Sequence, residues 1–99
     1  MEKVWTWGGK YFGYFNGDSL YTYKGKHIGN RRNDRIFSLS GGYLGELRNN
    51  RLISKSGGLP VRSTPTVGYA DRAEIVKNAD YVGSVMIAGY EDFPAPESF

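Results

Sequence analysis

Apolar residues fall in short runs broken by glycine or small polar residues: Val4-Trp5-Thr6-Trp7, Tyr11-Phe12-Gly13-Tyr14-Phe15, Leu20-Tyr21-Thr22-Tyr23, Ile36-Phe37-Ser38 and Leu52-Ile53-Ser54. Runs of this length, bounded by Gly, Asn, Asp and Ser, predict short β-strands joined by tight turns. Apolar positions do not recur in helical phase, so the chain reads as all-β.

The runs are periodic. Gly9-Lys10-Tyr11-Phe12-Gly13, Gly25-Lys26-His27-Ile28-Gly29 and Gly41-Gly42-Tyr43-Leu44-Gly45 recur every 16 residues. Asp18, Asp34 and Asn50 share a column of the same register, as do Leu20, Ile36 and Leu52, and Thr22, Ser38 and Ser54. Each unit predicts a β-hairpin, with turns at Asn16-Gly17-Asp18, Asn33-Asp34 and Asn49-Asn50, where residues that tolerate positive φ are required. Asp80-Tyr81-Val82-Gly83 matches the inbound half of a fourth unit, and Val4-Trp5-Thr6-Trp7-Gly8-Gly9 matches the outbound half. The expected architecture is therefore a closed pseudo-fourfold ring of four hairpins in a single domain, 1–99. Its repeats are 9–24, 25–40, 41–56 and 79–88 completed by 4–8, with an insertion loop at 57–78 and a tail at 89–99. Closure leaves no bare sheet edge to template unwanted pairing.

Strand alternation assigns Phe12, Ile28, Leu44, Val82, Val4, Leu20, Ile36 and Leu52 to the core. The column Tyr11, His27, Tyr43 and Tyr81 faces the other way. Each is followed two residues later by glycine, which leaves room for a ring over the backbone. The insertion holds Gly57-Gly58, Pro60 and Pro65, and predicts a loop with one helical turn or short strand near Ala73 to Lys77. Two prolines keep the tail extended, with Tyr90, Phe93 and Phe99 available to pin it down.

Composition narrows the chemistry. With no cysteine and one histidine there is no disulfide framework and no transition-metal cage, so neither a cofactor nor a metal is called for. No run approaches a membrane span, and Met1-Glu2-Lys3 does not lead into a secretory segment, which predicts a cytoplasmic protein without membrane attachment. A net charge of +3 implies a local cationic patch instead of a basic protein. A 99-residue fold of this mass should expose about 5,700 Å².

The repeated G-x-[YH]-Φ-G hairpins, then Tyr81-Val82-Gly83 and Ala88-Gly89-Tyr90-Glu91-Asp92-Phe93-Pro94, resemble the 4-fold β-flower proteins. The resemblance implies a compact pseudo-fourfold β domain from bacteria or their phages, and carries no activity or catalytic set with it.

Two groups of residues are candidates for binding. Lys26, Arg31, Arg32 and Arg35 crowd the second unit, with Arg48 and Arg51 by the third turn; arginine forks suit phosphate oxygens, and equally discourage edge association at hairpin tips. Tyr11, His27, Tyr43 and Tyr81 could stack a nucleobase, or else serve as cross-strand packing. His27 has no nucleophile or carboxylate placed beside it by any motif. Glu91, Asp92 and Glu97 could hold a divalent cation or serve as an internal counter-charge to the basic patch, and read first as solvated. Gly8-Gly9 and Gly41-Gly42 lack the strand-to-helix context of a phosphate loop.

The leading expectation is a non-enzymatic binding module that captures a small anionic ligand, a nucleotide or nucleotide-derived signal, as a phage sequestering protein would. The competing one is a structural or protein-interaction domain whose tail and hairpin tips dock a protein partner. Nucleic acid ranks behind both, and self-association would bury the exposed aromatics.

Overall fold

The computed structural model describes residues 1–99. Eight strands follow in chain order: β1 (Glu2–Thr6), β2 (Tyr11–Asn16), β3 (Ser19–Thr22), β4 (His27–Arg32), β5 (Arg35–Ser38), β6 (Tyr43–Arg48), β7 (Arg51–Lys55) and β8 (Tyr90–Asp92). Each pairs antiparallel with the next. β1 also pairs in parallel with β7 through Trp5–Arg51 and Thr6–Leu52, so the first seven strands close into a barrel and β8 is an extra strand on β7. No helix is long and apolar enough to cross a membrane.

The 16-residue repeat appears as three hairpins, β2–β3, β4–β5 and β6–β7. Asn49 and Asn50, at φ 49° and 62°, give the third turn the two positive φ values that a tight two-residue connection requires. In the first hairpin Asn16 pairs with Ser19, so the loop is Gly17-Asp18, one residue later than the Asn-Gly signal suggests.

The fourth hairpin does not form. Residues 79–88 contain no strand, and Val82 is 88% exposed. β7 forks instead: Arg51 and Leu52 face β1, while Ile53, Ser54 and Lys55 face Asp92, Glu91 and Tyr90 of β8. Phe93 then enters the core expected for Val82, edge-on to Phe12 at 5.3 Å. A phenyl ring buries much more apolar surface than an isopropyl group, and β8 reaches β7 through a short turn at Gly89. The core is Val4, Phe12, Phe15, Leu20, Ile28, Ile36, Leu52 and Phe93, with Leu44, Leu47 and Phe99 packed against it. Beyond β8 the tail closes in a 3-10 turn over Pro96–Ser98.

The second glycine of each repeat makes room for the backbone of the neighbouring strand, and at Gly45 for the Phe93 ring as well. A Cβ at Gly29 would strike the Phe37 carbonyl on the neighbouring strand, next to the register shift between Ile36 and Phe37.

Residues 59–88 form an extended strap along the barrel. Ser63 N–H donates to Gly41 O (2.9 Å), Arg72 N–H to Gly25 O (2.8 Å) and Tyr81 N–H to Gly9 O (2.7 Å). Three residues further on, Thr66, Ile75 and Ser84 donate to Leu39, Tyr23 and Trp7 at 2.8, 3.0 and 3.0 Å. The strap thus advances nine residues while the barrel recedes by sixteen, touching each inter-hairpin turn in reverse order. These bonds to the barrel replace the helical turn or short strand expected near Ala73 to Lys77, neither of which forms. Gly25 shows why the turns need glycine: its φ is +90°, and a Cβ would collide with the Arg72 carbonyl; Gly9 and Gly41 meet Tyr81 and Ser63 in the same way.

Trp5 and Trp7 donate their indole N–H groups to Ala79 O (3.0 Å) and Val85 O (2.9 Å). Arg51 bonds Trp7 O at 3.1 Å and Val82 O at 2.7 Å. The strap therefore adds no excess surface: the chain exposes 5482 Å², close to the size-scaled expectation, in a flattened body of 36 × 33 × 22 Å.

Candidate functional site

The four aromatic positions predicted to line one face do not converge. Tyr11 is fully buried, with its ring 5.4 Å from Trp5 and its hydroxyl without a hydrogen-bond partner. Burial, then the neighbouring Tyr14, push its pKa up. Tyr43 is half-buried; its hydroxyl donates to Glu46 Oε2 at 3.0 Å and accepts from Lys55 N–H at 3.1 Å. Burial raises its pKa as well. Tyr81 lies on the strap, half-exposed, and stacks on Trp5 at 4.1 Å. These three rings hold the strap and strands in place.

His27 is buried and fully engaged. Its Nδ1 accepts the Tyr69 backbone N–H at 3.1 Å, so the ring hydrogen sits on Nε2, which reaches Gly29 O at 2.9 Å and Asn30 Oδ1 at 3.0 Å. Asn30 Nδ2 in turn donates to Thr66 Oγ1 at 2.7 Å. With both nitrogens spoken for and no nucleophile beside it, His27 positions the strap and is not arranged as a general base.

The cations are dispersed. Arg31 reaches Glu2 at 3.4 Å and Asp18 at 3.9 Å, and lies over the Phe15 ring. Arg48 bonds Glu46 at 3.3 Å and the Tyr90 hydroxyl at 3.1 Å, in another quarter of the barrel. Lys26 lines a shallow recess with Ser38, Leu39 and Phe99. Arg35 is exposed at the β4–β5 tip beside Arg32, and neither takes part in an ion pair.

Of the predicted residues, Arg31 and Arg32 share a recess at the β4–β5 tip with Asp18, Asn33 and Asp34, Lys26 and His27 share the one beside Phe99, and His27 and Arg32 meet in a third. These last two line a polar cavity of about 330 Å³ between the β2–β3 turn, β4 and the strap, together with Asn16, Asp18, Ser19, Asn30, Thr66, Val67 and Tyr69. Tyr69 stacks on His27 at 5.1 Å and also lines an adjoining recess with Asn16, Ser19, Tyr21, Ala70 and Arg72. There the Arg72 guanidinium lies 5.3 Å from the Tyr21 ring centre and 5.8 Å from that of Tyr14. The site thus combines an aromatic ring locked from below, amide and hydroxyl groups, and a guanidinium in each recess. Tyr69, Thr66 and Arg72 were missed by sequence reasoning because they sit in the insertion. A tyrosine flanked by glycine and alanine there gave no signal that it would lie on His27.

No protein-family model matches the chain, nor does any curated protein or solved structure.

Proposed function

We propose that this protein is a non-enzymatic binding module that captures a small anionic ligand of nucleotide type in the double recess around Tyr69. The observation that carries the reading is the Tyr69 ring, seated on His27, which lines both recesses, one holding Arg32 and the other Arg72. A planar base stacked on an aromatic surface, with phosphates taken by arginine forks, suits such a site. The cavity volume is that of a small-ligand site, and its polar lining favours a hydrophilic guest.

The reading treats the barrel as a pseudo-fourfold ring of the β-flower kind, with its fourth quarter assembled from β1 and β8. Its support is the 16-residue repeat and the equivalence of Phe93 to Phe12, Ile28 and Leu44. A cytoplasmic protein of this design would sequester a nucleotide signal without turning it over.

The test is a thermal-shift and calorimetric screen of the purified chain against mono-, di- and cyclic nucleotides at low and high salt. A salt-tolerant shift for one nucleotide class, lost in Arg32→Glu and in Tyr69→Ala, supports the site. Equal affinity in both variants removes it.

A further inference from the structure

Of the eight large hydrophobic residues left exposed, seven lie on the strap: Val67, Tyr69, Val76, Tyr81, Val82, Val85 and Met86. The four valines are each between 87% and 91% exposed. Their spacing follows the bonding to the barrel. N–H groups at 63, 66, 69, 72, 75, 81 and 84 turn toward it, a three-residue step like that of a polyproline-II chain. The residues one place later share a different face. From 61 to 82 in steps of three they read Val, Thr, Val, Ala, Ala, Val, Ala, Val, an apolar row lying outside the buried core.

That row reads nearly the same from both ends. Its centre falls between Asp71 and Arg72, with Val67 mirrored by Val76, Val61 by Val82 and Ala70 by Ala73. The strap's charges alternate along its length as Arg62, Asp71, Arg72, Glu74, Lys77 and Asp80, three of each sign. Reversing that order exchanges every sign. The strap is neutral while the whole chain carries +3, and about the centre of the apolar row Asp71 and Arg72 exchange places and Arg62 falls one residue from the mirror of Asp80, while Glu74 and Lys77 fall opposite the uncharged Tyr69 and Thr66.

We infer that the strap is a homodimer interface, on which a second copy of this chain lays its own strap antiparallel about a two-fold axis between Asp71 and Arg72. Each Asp71 then faces the other copy's Arg72, Val67 meets Val76, and Arg62 lies beside Asp80; because Val67 and Arg72 also line the two recesses, the second copy and a bound nucleotide compete for them. Two flattened barrels stacked face to face keep curved straps together along the whole arc. Twenty-two residues at about 3.1 Å each give a seam about 70 Å long. With a width of ~10 Å for one packed layer, the seam covers on the order of 700 Å² per copy, near the area of a standard stable interface. A two-fold contact of this kind is the commonest form of self-association.

The experiment is sedimentation of the full chain over a dilution series. The wild type should run at twice its 11.1 kDa mass and dissociate on dilution. Asp71→Arg sets two arginines against each other twice, and Arg72→Asp does the same with carboxylates, so each variant alone should be monomeric. Mixed one to one, they should recover the dimer, because every opposed pair is again of opposite sign. Val76→Asp, which leaves the charge pair intact, should also give monomer. A wild type that stays monomeric at every concentration overturns the proposal and points to a foreign partner. A dimer indifferent to these substitutions, or a mixture that stays monomeric, overturns the strap or its two-fold register respectively.

Discussion

Tyr69 is tied to His27 twice, by a backbone N–H donated to Nδ1 at 3.1 Å and by ring stacking at 5.1 Å. One buried side chain thereby sets both the position of the strap and the floor of the proposed binding site. His27→Phe keeps the ring surface but leaves the Tyr69 N–H and the Asn30 carbonyl oxygen without their partner. It should cost about 1–3 kcal/mol in urea unfolding. Nucleotide affinity should fall with it; a variant as stable as wild type would show that strap and barrel are held elsewhere.

Tyr11 and Tyr43 occupy equivalent repeat positions with opposite hydrogen-bonding fates. The Tyr43 hydroxyl has a donor and an acceptor, while the Tyr11 hydroxyl is buried with neither. Tyr11→Phe should therefore be neutral or stabilising, by up to about 1 kcal/mol, and Tyr43→Phe destabilising by a similar amount. Parallel denaturant titrations of the two variants check the contrast.

The tail adds a pH dependence. Lys10 at 2.8 Å and the Tyr23 hydroxyl at 2.7 Å hold the Glu97 carboxyl down to about 2, from an ordinary 4.5. A carboxyl depressed on folding stabilises the native state above its unfolded pKa, and that contribution fades as pH falls from 4.5 through about 2. The pair is partly exposed, so screening leaves about 0.5 kcal/mol. Glu97→Gln should melt below wild type near neutral pH, and the gap should close in acid. A gap unchanged at the acid end would mean that the Glu97 contribution does not come from its charge.

Gly25→Ala sets a methyl group against the Arg72 carbonyl at a φ of +90°. It should cost about 1–3 kcal/mol and expose the strap to trypsin at Arg72 and Lys77. Gly57 also has a positive φ but open space around it, so Gly57→Ala should leave the strap protected. Digestion time courses separate the two.

The core position filled by Phe93 has its own test. Phe93→Ala should lose about 3–5 kcal/mol, whereas Val82→Ala, in dilute protein, should stay within about 0.5 kcal/mol. The reverse order would restore Val82 to the core.

The hairpins were legible because their information is local: alternation sets the faces, and residues such as Asn49-Asn50 permit the turn where it occurs. Val82 and Phe93 show where this stops. Asp80-Tyr81-Val82-Gly83 matches the repeat by letter, and Tyr81 does stack on Trp5, yet its N–H binds Gly9 from outside the barrel while Phe93 fills the interior. The strap was not legible because its acceptors are carbonyls at Gly9, Gly25 and Gly41, and a carbonyl leaves no mark in the sequence. Half of the site was consequently hidden: His27 and Arg32 carried a signal, but the ring that joins them did not.

The nine-to-sixteen correspondence between strap and barrel also limits how such a chain can grow. A duplicated hairpin would add two strands to the barrel's seven, but the strap would then end one turn short of its last glycine. A lengthened strap without a new hairpin would leave slack and unpaired amides. The number of repeats can change only by two coordinated insertions far apart in the gene, which makes the closed form hard to enlarge by simple duplication.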